Sequence, residues 1–374
     1  MTSPVHARVD LTAIRDNIAM LRETARGAAV MAMVKAEAYG HGMVPAARAA
    51  LAGGATWLGV ARLAEGLGLR AAGITTPVLL CITAPGEAYE EAIAADIDLT
   101  VGSLPLLAEI AAAARATGRT ARVHLKADTG LSRGGAVAAD WPGLVDATLA
   151  EVAEGSVEVV GLYSHFACAD EPDHPSVNRQ LAEFAEAVEH AEKAGIRPRL
   201  RHIANSAAIL TRPEARYDLV RPGIATYGLS PVPSLGDFGL RPAMTLAART
   251  AMVKRVPAGS GVSYGHTYVT PRETTLALVP AGYGDGVPRH GSNVLEVLAG
   301  GVRRRIAGRV CMDQFVIDVG DDPVGTGSEV ILFGPGDQGE PTAQEWADAI
   351  GSISYEIVTR IGGRVPRHYV GELE

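Results

Sequence analysis

Cysteine is scarce: Cys81, Cys168 and Cys311 are the only three in 374 residues. They are too far apart and odd in number for a disulfide framework, and no His/Cys/Asp spacing suggests a metal site. They read as buried or partly buried thiols. No apolar run approaches the roughly 18 residues of a membrane-spanning helix, and the opening MTSPVHARVDLTAIRDN has no apolar core of signal-peptide length. The expected compartment is the cytoplasm. Positive charge is also short, with 34 Lys and Arg against 42 Asp and Glu for a net charge of −8. That balance offers no basic surface to nucleic acid or to an anionic membrane. The glycine clusters lack the Lys-Ser/Thr ending of a phosphate loop. What is present, 47% hydrophobic and 20% charged residues, suits a globular enzyme acting on small molecules.

From residue 28 to about 223, short apolar runs alternate with Ala/Leu/Glu stretches of helical period that end at glycine. The strand candidates are AAVMAMVKA, TWLGVA, PVLLCI, DLTVG, ARVHLKAD, VEVVGLYSHFA, RLRHIA and YDLVRPG. Eight such units predict a (β/α)₈ barrel of the TIM type, with a doubly wound sheet as the competitor. Near Arg241 the pattern changes to β runs separated by Gly- and Pro-containing turns. This predicts an α/β barrel domain over residues 1–240 and a mostly β domain over residues 241–374, joined through SPVPSLGDFGLRP. One amphipathic helix is expected over PTAQEWADAIG, with its Thr as the cap.

Barrel enzymes place their chemistry at the C-terminal ends of strands. Lys35 and Tyr39 follow the first apolar run, Lys126 and Arg133 the fifth, and His165 the sixth. His202 through Ser206 follow the seventh, and Arg221 with Pro222, Gly223 and Ile224 the eighth. A lone strand-end lysine is ordinarily a rim residue with its amine in water. Here an amine, an imidazole, hydroxyls, a guanidinium and backbone N–H groups converge, which matches the needs of pyridoxal 5'-phosphate. That cofactor requires a Schiff-base lysine, donors for the phosphate and a partner for the ring nitrogen. Arg221 cannot give up its proton, so at the ring nitrogen it can only donate a hydrogen bond. The ring is then a weaker electron sink than with a carboxylate partner, which disfavours transamination.

The runs RVDLTAIRDN, VKAEAYGHG, LKADTGLSRGG, SHFACADEP, RHIANSAA, LVRPGIATYG, GVSYGHTY, AGYGDG, GRVCMDQF and SYEIVTRIGGRVPR, in this order, closely resemble the alanine racemases. The resemblance spans nearly the whole chain and implies a barrel followed by a β-rich domain. It implies pyridoxal-phosphate-dependent interconversion of L- and D-alanine, with D-alanine going to peptidoglycan. Lys35 would carry the cofactor and act as base on one face of the substrate, and Tyr264 would be the base on the other. Tyr39, His165, Ser206, Arg221, Gly223, Ile224 and Tyr355 would bind the cofactor, and Arg133 and Met312, with Asp313 nearby, the substrate carboxylate. Lys126 would be a candidate carbamylated lysine. Tyr264, Tyr283, Met312 and Asp313 would come from the second subunit of a homodimer. One departure is Glu37, where the family usually has Asp; the longer side chain keeps the charge and extends its reach. A racemase of broader amino-acid specificity is the alternative within the family. Outside it stand a barrel-type decarboxylase, which pairs the ring nitrogen with an acid, and an amino-acid-binding regulatory protein, which needs no second base. His6, His124, His174 and His190 read as structural or solvent-exposed.

Overall fold

Residues 3–372 are described by the structure, a computed structural model. The first nine strands are β1 (Val5–Asp10), β2 (Ala29–Met33), β3 (Trp57–Val60), β4 (Val78–Leu80), β5 (Ile97–Val101), β6 (Ala121–Lys126), β7 (Val157–Tyr163), β8 (Leu200–His202) and β9 (Leu219–Val220). β2 to β9 form one parallel sheet in the order β8-β7-β6-β5-β4-β3-β2-β9. Because β9 lies beside β2, with Ala29 opposite Leu219, the sheet curls on itself, as a doubly wound sheet would not. A parallel bridge between Asn205 and Arg221 and the Arg221 N–H to Ala204 carbonyl bond (2.9 Å) draw the ends of β8 and β9 together. The barrel expectation is met.

These strands are short and apolar because helices cover one side and barrel side chains the other; β3 and β5 are buried along their whole length. The intervening helices begin and end where backbone chemistry requires. Leu104–Thr117 has a proline in its first turn and ends at Gly118 in the left-handed region. Pro175–Ala194 is opened by His174, whose ring accepts the Ser176 N–H.

The second part of the chain is sheet-rich, as expected. A six-stranded sheet runs Val302–Arg305, Glu296–Ala299, Glu329–Phe333, Met244–Arg249, β1, Arg367–Val370. β1 therefore crosses over: its inward Val5, Ala7 and Val9 pack into this sheet, antiparallel to Met244–Arg249 and parallel to Arg367–Val370. A three-stranded sheet of Met252–Val256, Thr274–Val279 and Phe315–Gly320 and a two-stranded hairpin of Gly261–Val262 with Tyr268–Val269 complete it. The expected amphipathic helix is Ala343–Ile350, opened by a reciprocal capping box between Thr342 and Glu345. Its Trp346 is buried against Phe333.

Candidate active site

A cavity of about 650 Å³ opens at the C-terminal ends of the barrel strands, lined among others by Lys35, Lys126, Arg133, His165 and Arg221. Four cationic side chains share this cavity and, among the described residues, no Asp or Glu lines it. Like charges gathered without counter-charge are costly unless a ligand supplies the anion. Arg133 is exposed, with no acidic partner among the described residues. Lys126 ends β6 with its Nζ 5.6 Å from the Tyr163 ring centroid. Burial first, then the charges of Arg221 and Arg133, pulls the Lys126 pKa below its ordinary value.

Lys35 stands two residues after β2, followed by an unusual turn. Ala36, Glu37, Ala38 and Tyr39 all have φ near +50°, namely 52°, 54°, 54° and 54°. Four consecutive non-glycine residues in the left-handed region cost roughly 4–8 kcal/mol together, so the turn must be held from outside. Glu65 accepts the Ala36 N–H at 2.7 Å and also caps its own helix through the Ala61 and Arg62 N–H groups. His41 Nδ1 lies 3.1 Å from the Ala38 carbonyl and 3.0 Å from that of Tyr39. Since carbonyls only accept, Nδ1 carries the proton. Glu37 accepts the Met43 N–H at 3.3 Å, the contact made by the longer carboxylate at this position.

Arg221 is buried at the end of β9. Its Nη2 donates to the Ser164 carbonyl (2.8 Å) and to His165 Nδ1 (3.1 Å), and its Nη1 donates to His202 Nδ1 (2.9 Å). A guanidinium only donates, so His165 must accept at Nδ1 and carry its proton on Nε2. Burial and the surrounding cations hold the His165 pKa well below its usual range, so the ring is neutral. The Nε–H and one Nη1–H of Arg221 are donated to nothing among the described residues, and the side chain lines the cavity. These two protons suit a ring nitrogen that accepts.

A second cluster adjoins the turn. Ser206 Oγ accepts the Gly223 N–H (2.8 Å) and the Ala225 N–H (3.3 Å), leaving its own proton to donate outward. The Tyr39 and Tyr355 rings lie 6.2 Å apart. Both phenols stay protonated: burial raises Tyr39, and burial with Asp170 pushes Tyr355 up to about 12. A Cβ on Gly223 would collide with the Tyr39 hydroxyl, so any larger residue there would displace that phenol. Ile224 follows in a short 3₁₀ turn. Three hydroxyl donors beside a cationic cavity fit a phosphate ester, and with the strand-end amine and Arg221 the donor set fits pyridoxal 5'-phosphate.

Tyr264, Tyr283 and Met312 are not brought to this cavity within one chain. They project from the sheet-rich part at 72%, 44% and 53% exposure. Tyr264 sits in the hairpin loop, which the Ser263 hydroxyl anchors to the Arg309 carbonyl (2.7 Å). The Tyr283 and Gly284 N–H groups donate to the Cys311 and Met312 carbonyls at 3.0 and 2.8 Å. Arg364 ties these two loops together by donating to Asp285 (2.7 Å) and Asp313 (2.6 Å).

Three buried groups near the cavity carry no weight in the sequence reading: Asp98, Gln180 and His124, the last expected to be structural or exposed. His124 is fully buried and hydrogen-bonded to His202. Gln180 supports the segment after β7, donating to the His165 carbonyl (3.0 Å) and accepting the Ala167 N–H (2.9 Å). A polar residue within an otherwise apolar strand run was the available signal for Asp98 and His124.

The family model for the alanine racemase N-terminal domain matches residues 9–231, and that for the C-terminal domain residues 243–369. The chain is 63% identical over 367 residues to an alanine racemase of Frankia casuarinae, covering 97% of this chain and 96% of that one. It is 62% identical over 371 residues to one of Thermobifida fusca, covering 99% of each. Among solved structures it resembles the alanine racemase of D-cycloserine-producing Streptomyces lavendulae, with a TM-score of 0.98 and 56% identity over 100% of this chain and 98% of that one.

Proposed function

The chain belongs to the alanine racemase family, and from that premise we propose how its own residues divide the work. It interconverts L- and D-alanine with pyridoxal 5'-phosphate, and the family's D-alanine serves peptidoglycan synthesis. Bound cofactor supplies an aldehyde that condenses with amines and a ring that withdraws electrons from the substrate Cα, acidifying its proton. The observation carrying the site reading is the cavity that gathers two lysines and two arginines with no acid among the described residues. It suits a phosphorylated cofactor together with a substrate carboxylate.

Lys35 would hold the cofactor and move the proton at one face of the substrate Cα. Tyr264 of the partner subunit moves it at the other face. Racemisation needs both, since either base can return the proton. A phenol, with a reference pKa near 10, needs cationic help at neutral pH. His165 supports that role, because its Nε2–H is backed by Arg221. Arg221 would donate to the ring nitrogen without protonating it. Ser206, Tyr39, Tyr355 and the Ile224 N–H would hold the phosphate, with Gly223, whose N–H donates to Ser206 Oγ here, orienting that hydroxyl. Arg133 of the same cavity and the partner's Met312 would hold the substrate carboxylate. Lys126, its pKa lowered, adds carbon dioxide to give a carbamate and a proton, placing an anion beside Arg133.

A homodimer with shared sites is supported by the exposed but anchored loops of Tyr264, Tyr283 and Met312. No helix among the described residues is long and apolar enough to cross a membrane, in keeping with a cytoplasmic enzyme. We place the domain division at residues 240/241, with β1 contributed to the second domain's sheet. Chiral analysis of alanine after incubation with cofactor tests the site reading. The native chain should racemise both enantiomers and Lys35→Ala neither; a fully active Lys35→Ala would overturn it.

A further inference from the structure

Arg221 is the first member of a hydrogen-bonded file that runs through the barrel interior. Its Nη1 donates to His202 Nδ1 at 2.9 Å, His202 Nε2 lies 2.9 Å from His124 Nδ1, and His124 Nε2 lies 3.3 Å from Asp98 Oδ2. Arg122 closes the far end, donating to Asp98 Oδ1 at 2.9 Å and Oδ2 at 3.2 Å. Proton order along the file is forced. The guanidinium only donates, so His202 accepts at Nδ1 and donates from Nε2; His124 then accepts at Nδ1 and donates from Nε2 to a carboxylate. The reverse order would set N–H against N–H at Arg221. We infer that Asp98, His124 and His202 are positioning residues for Arg221, holding its guanidinium at one orientation toward the cofactor ring. The inference rests on the reading that Arg221 faces the ring nitrogen.

The surroundings are shaped for this file. Gly161 of β7 makes room for it, since a Cβ there would stand 2.5 Å from His124 Nδ1. The β6–β7 pairing shifts register between Val123 and His124. Tyr163 stacks on His202 at 4.8 Å with an interplanar angle of 1°, and its hydroxyl pairs with Thr100 at 2.8 Å. Trp57 meets the His124 edge at 5.5 Å. Burial lowers the pKa of both imidazoles, keeping them neutral as the proton order demands. A buried polar file of this kind is stable only when every member is satisfied, and here each link has one donor and one acceptor.

If Arg221 swings away, water can protonate the ring nitrogen, charge at the substrate Cα persists longer, and transamination competes. In that side reaction the amino group stays on the cofactor, whose aldehyde is reduced, while alanine leaves oxidised as pyruvate. His124→Leu in the holoenzyme removes the acceptor of His202 Nε2–H. The ratio of pyruvate formed to racemisation should rise at least about tenfold, as when supporting partners of reactive groups are lost, while KM for alanine stays within about twofold. His124→Asn, whose amide oxygen can replace Nδ1 as acceptor, should restore most of the native ratio. Asp98→Ala, which removes the terminal acceptor without touching either ring, should shift the ratio in the same direction as His124→Leu even if that variant does not fold. In an Arg221→Gln background His124→Leu should add nothing, whereas general core damage would add. Histidine-selective ¹⁵N spectra provide a readout apart from turnover: His202 should be the Nε2–H tautomer in the native and His124→Asn proteins and the Nδ1–H tautomer in His124→Leu. An unchanged His202 tautomer and ratio in folded His124→Leu or Asp98→Ala would overturn the inference. An unchanged ratio in Arg221→Gln alone would instead overturn the placement of Arg221 at the ring, a separate failure.

Discussion

Lysine occupies only four positions, Lys35, Lys126, Lys193 and Lys254, and two of them share the cavity. Which amine holds the cofactor is therefore a two-way question. Lys35 adjoins the turn that carries Tyr39, whereas Lys126 lies over Tyr163. Borohydride reduction of the holoenzyme followed by peptide mass mapping should place the cofactor on Lys35; label on Lys126 would reverse the roles of the two lysines. His41 gives a second prediction. Its ring is buried and burial pushes its pKa down to about 4, while an unfolded histidine titrates near 6.5. Between those values the unfolded chain binds the extra proton, so stability falls as pH falls, by about 1.4 kcal/mol per pH unit for this residue. His124, His165 and His202, also depressed by burial, act in the same direction. His41→Phe should lower stability at neutral pH, because the Ala38 and Tyr39 carbonyls lose their donor, yet flatten the acid limb by about one proton. Urea unfolding midpoints across that pH range measure both effects, and an unchanged acid slope would mean that His41 is not held neutral.

The turn after Lys35 shows where legibility ended at the scale of elements. Buried parallel strands are near-continuous apolar runs, so the eight barrel strands could be read directly, as could the Thr342 cap. Ala36-Glu37-Ala38-Tyr39 contains no glycine and mostly helix-favouring residues, so nothing local signals a left-handed turn; Glu65 and His41 impose it. β1 was hidden because its partners lie some 240 and 360 residues away in sequence. The Arg221 file was hidden for a related reason: Asp98 and His202 lie 26 and 78 residues from His124, inside strands whose apolar neighbours set the pattern. Gly40, at φ 83°, ends the turn, and a Cβ there would collide with the Val358 carbonyl. Gly40→Ala should therefore cost more than the roughly 1–2 kcal/mol of left-handed backbone strain alone. Gly27→Ala, at φ 99° in open space, is the control for strain without collision. Thermal unfolding of the two should rank Gly40→Ala well below Gly27→Ala, with cofactor affinity falling only for the former. Equal losses would mean that the turn's packing against Val358 contributes nothing.

At the scale of the whole molecule, the chain divides its proposed machinery between a barrel cavity and a set of anchored, solvent-facing loops. Rim residues could be read because barrel chemistry collects at strand ends, but no feature of one sequence says whether Tyr264 serves its own cavity or another's. In the single chain Tyr264 does not line the Lys35 cavity and is 72% exposed, so the shared-site proposal makes a quantitative prediction. Lys35→Ala lacks one base in every site, and Tyr264→Phe lacks the other, costing on the order of 10² in abstraction from one enantiomer. If sites are shared, a mixed dimer contains one site with both bases and one with neither. Equal amounts exchanged at random would form mixed dimers for about half the population, restoring about one quarter of native activity. If Tyr264 serves its own chain, each site in a mixed dimer still lacks one base and activity stays at the parental level. Differently tagged subunits, with mixed dimers counted by native mass spectrometry before assay, separate failed exchange from failed complementation. Abundant mixed dimers without recovered activity would sink the shared site while leaving the roles of Lys35 and Tyr264 intact. The enantiomers then divide those roles, because Tyr264→Phe should slow deuterium exchange at Cα for one enantiomer far more than for the other.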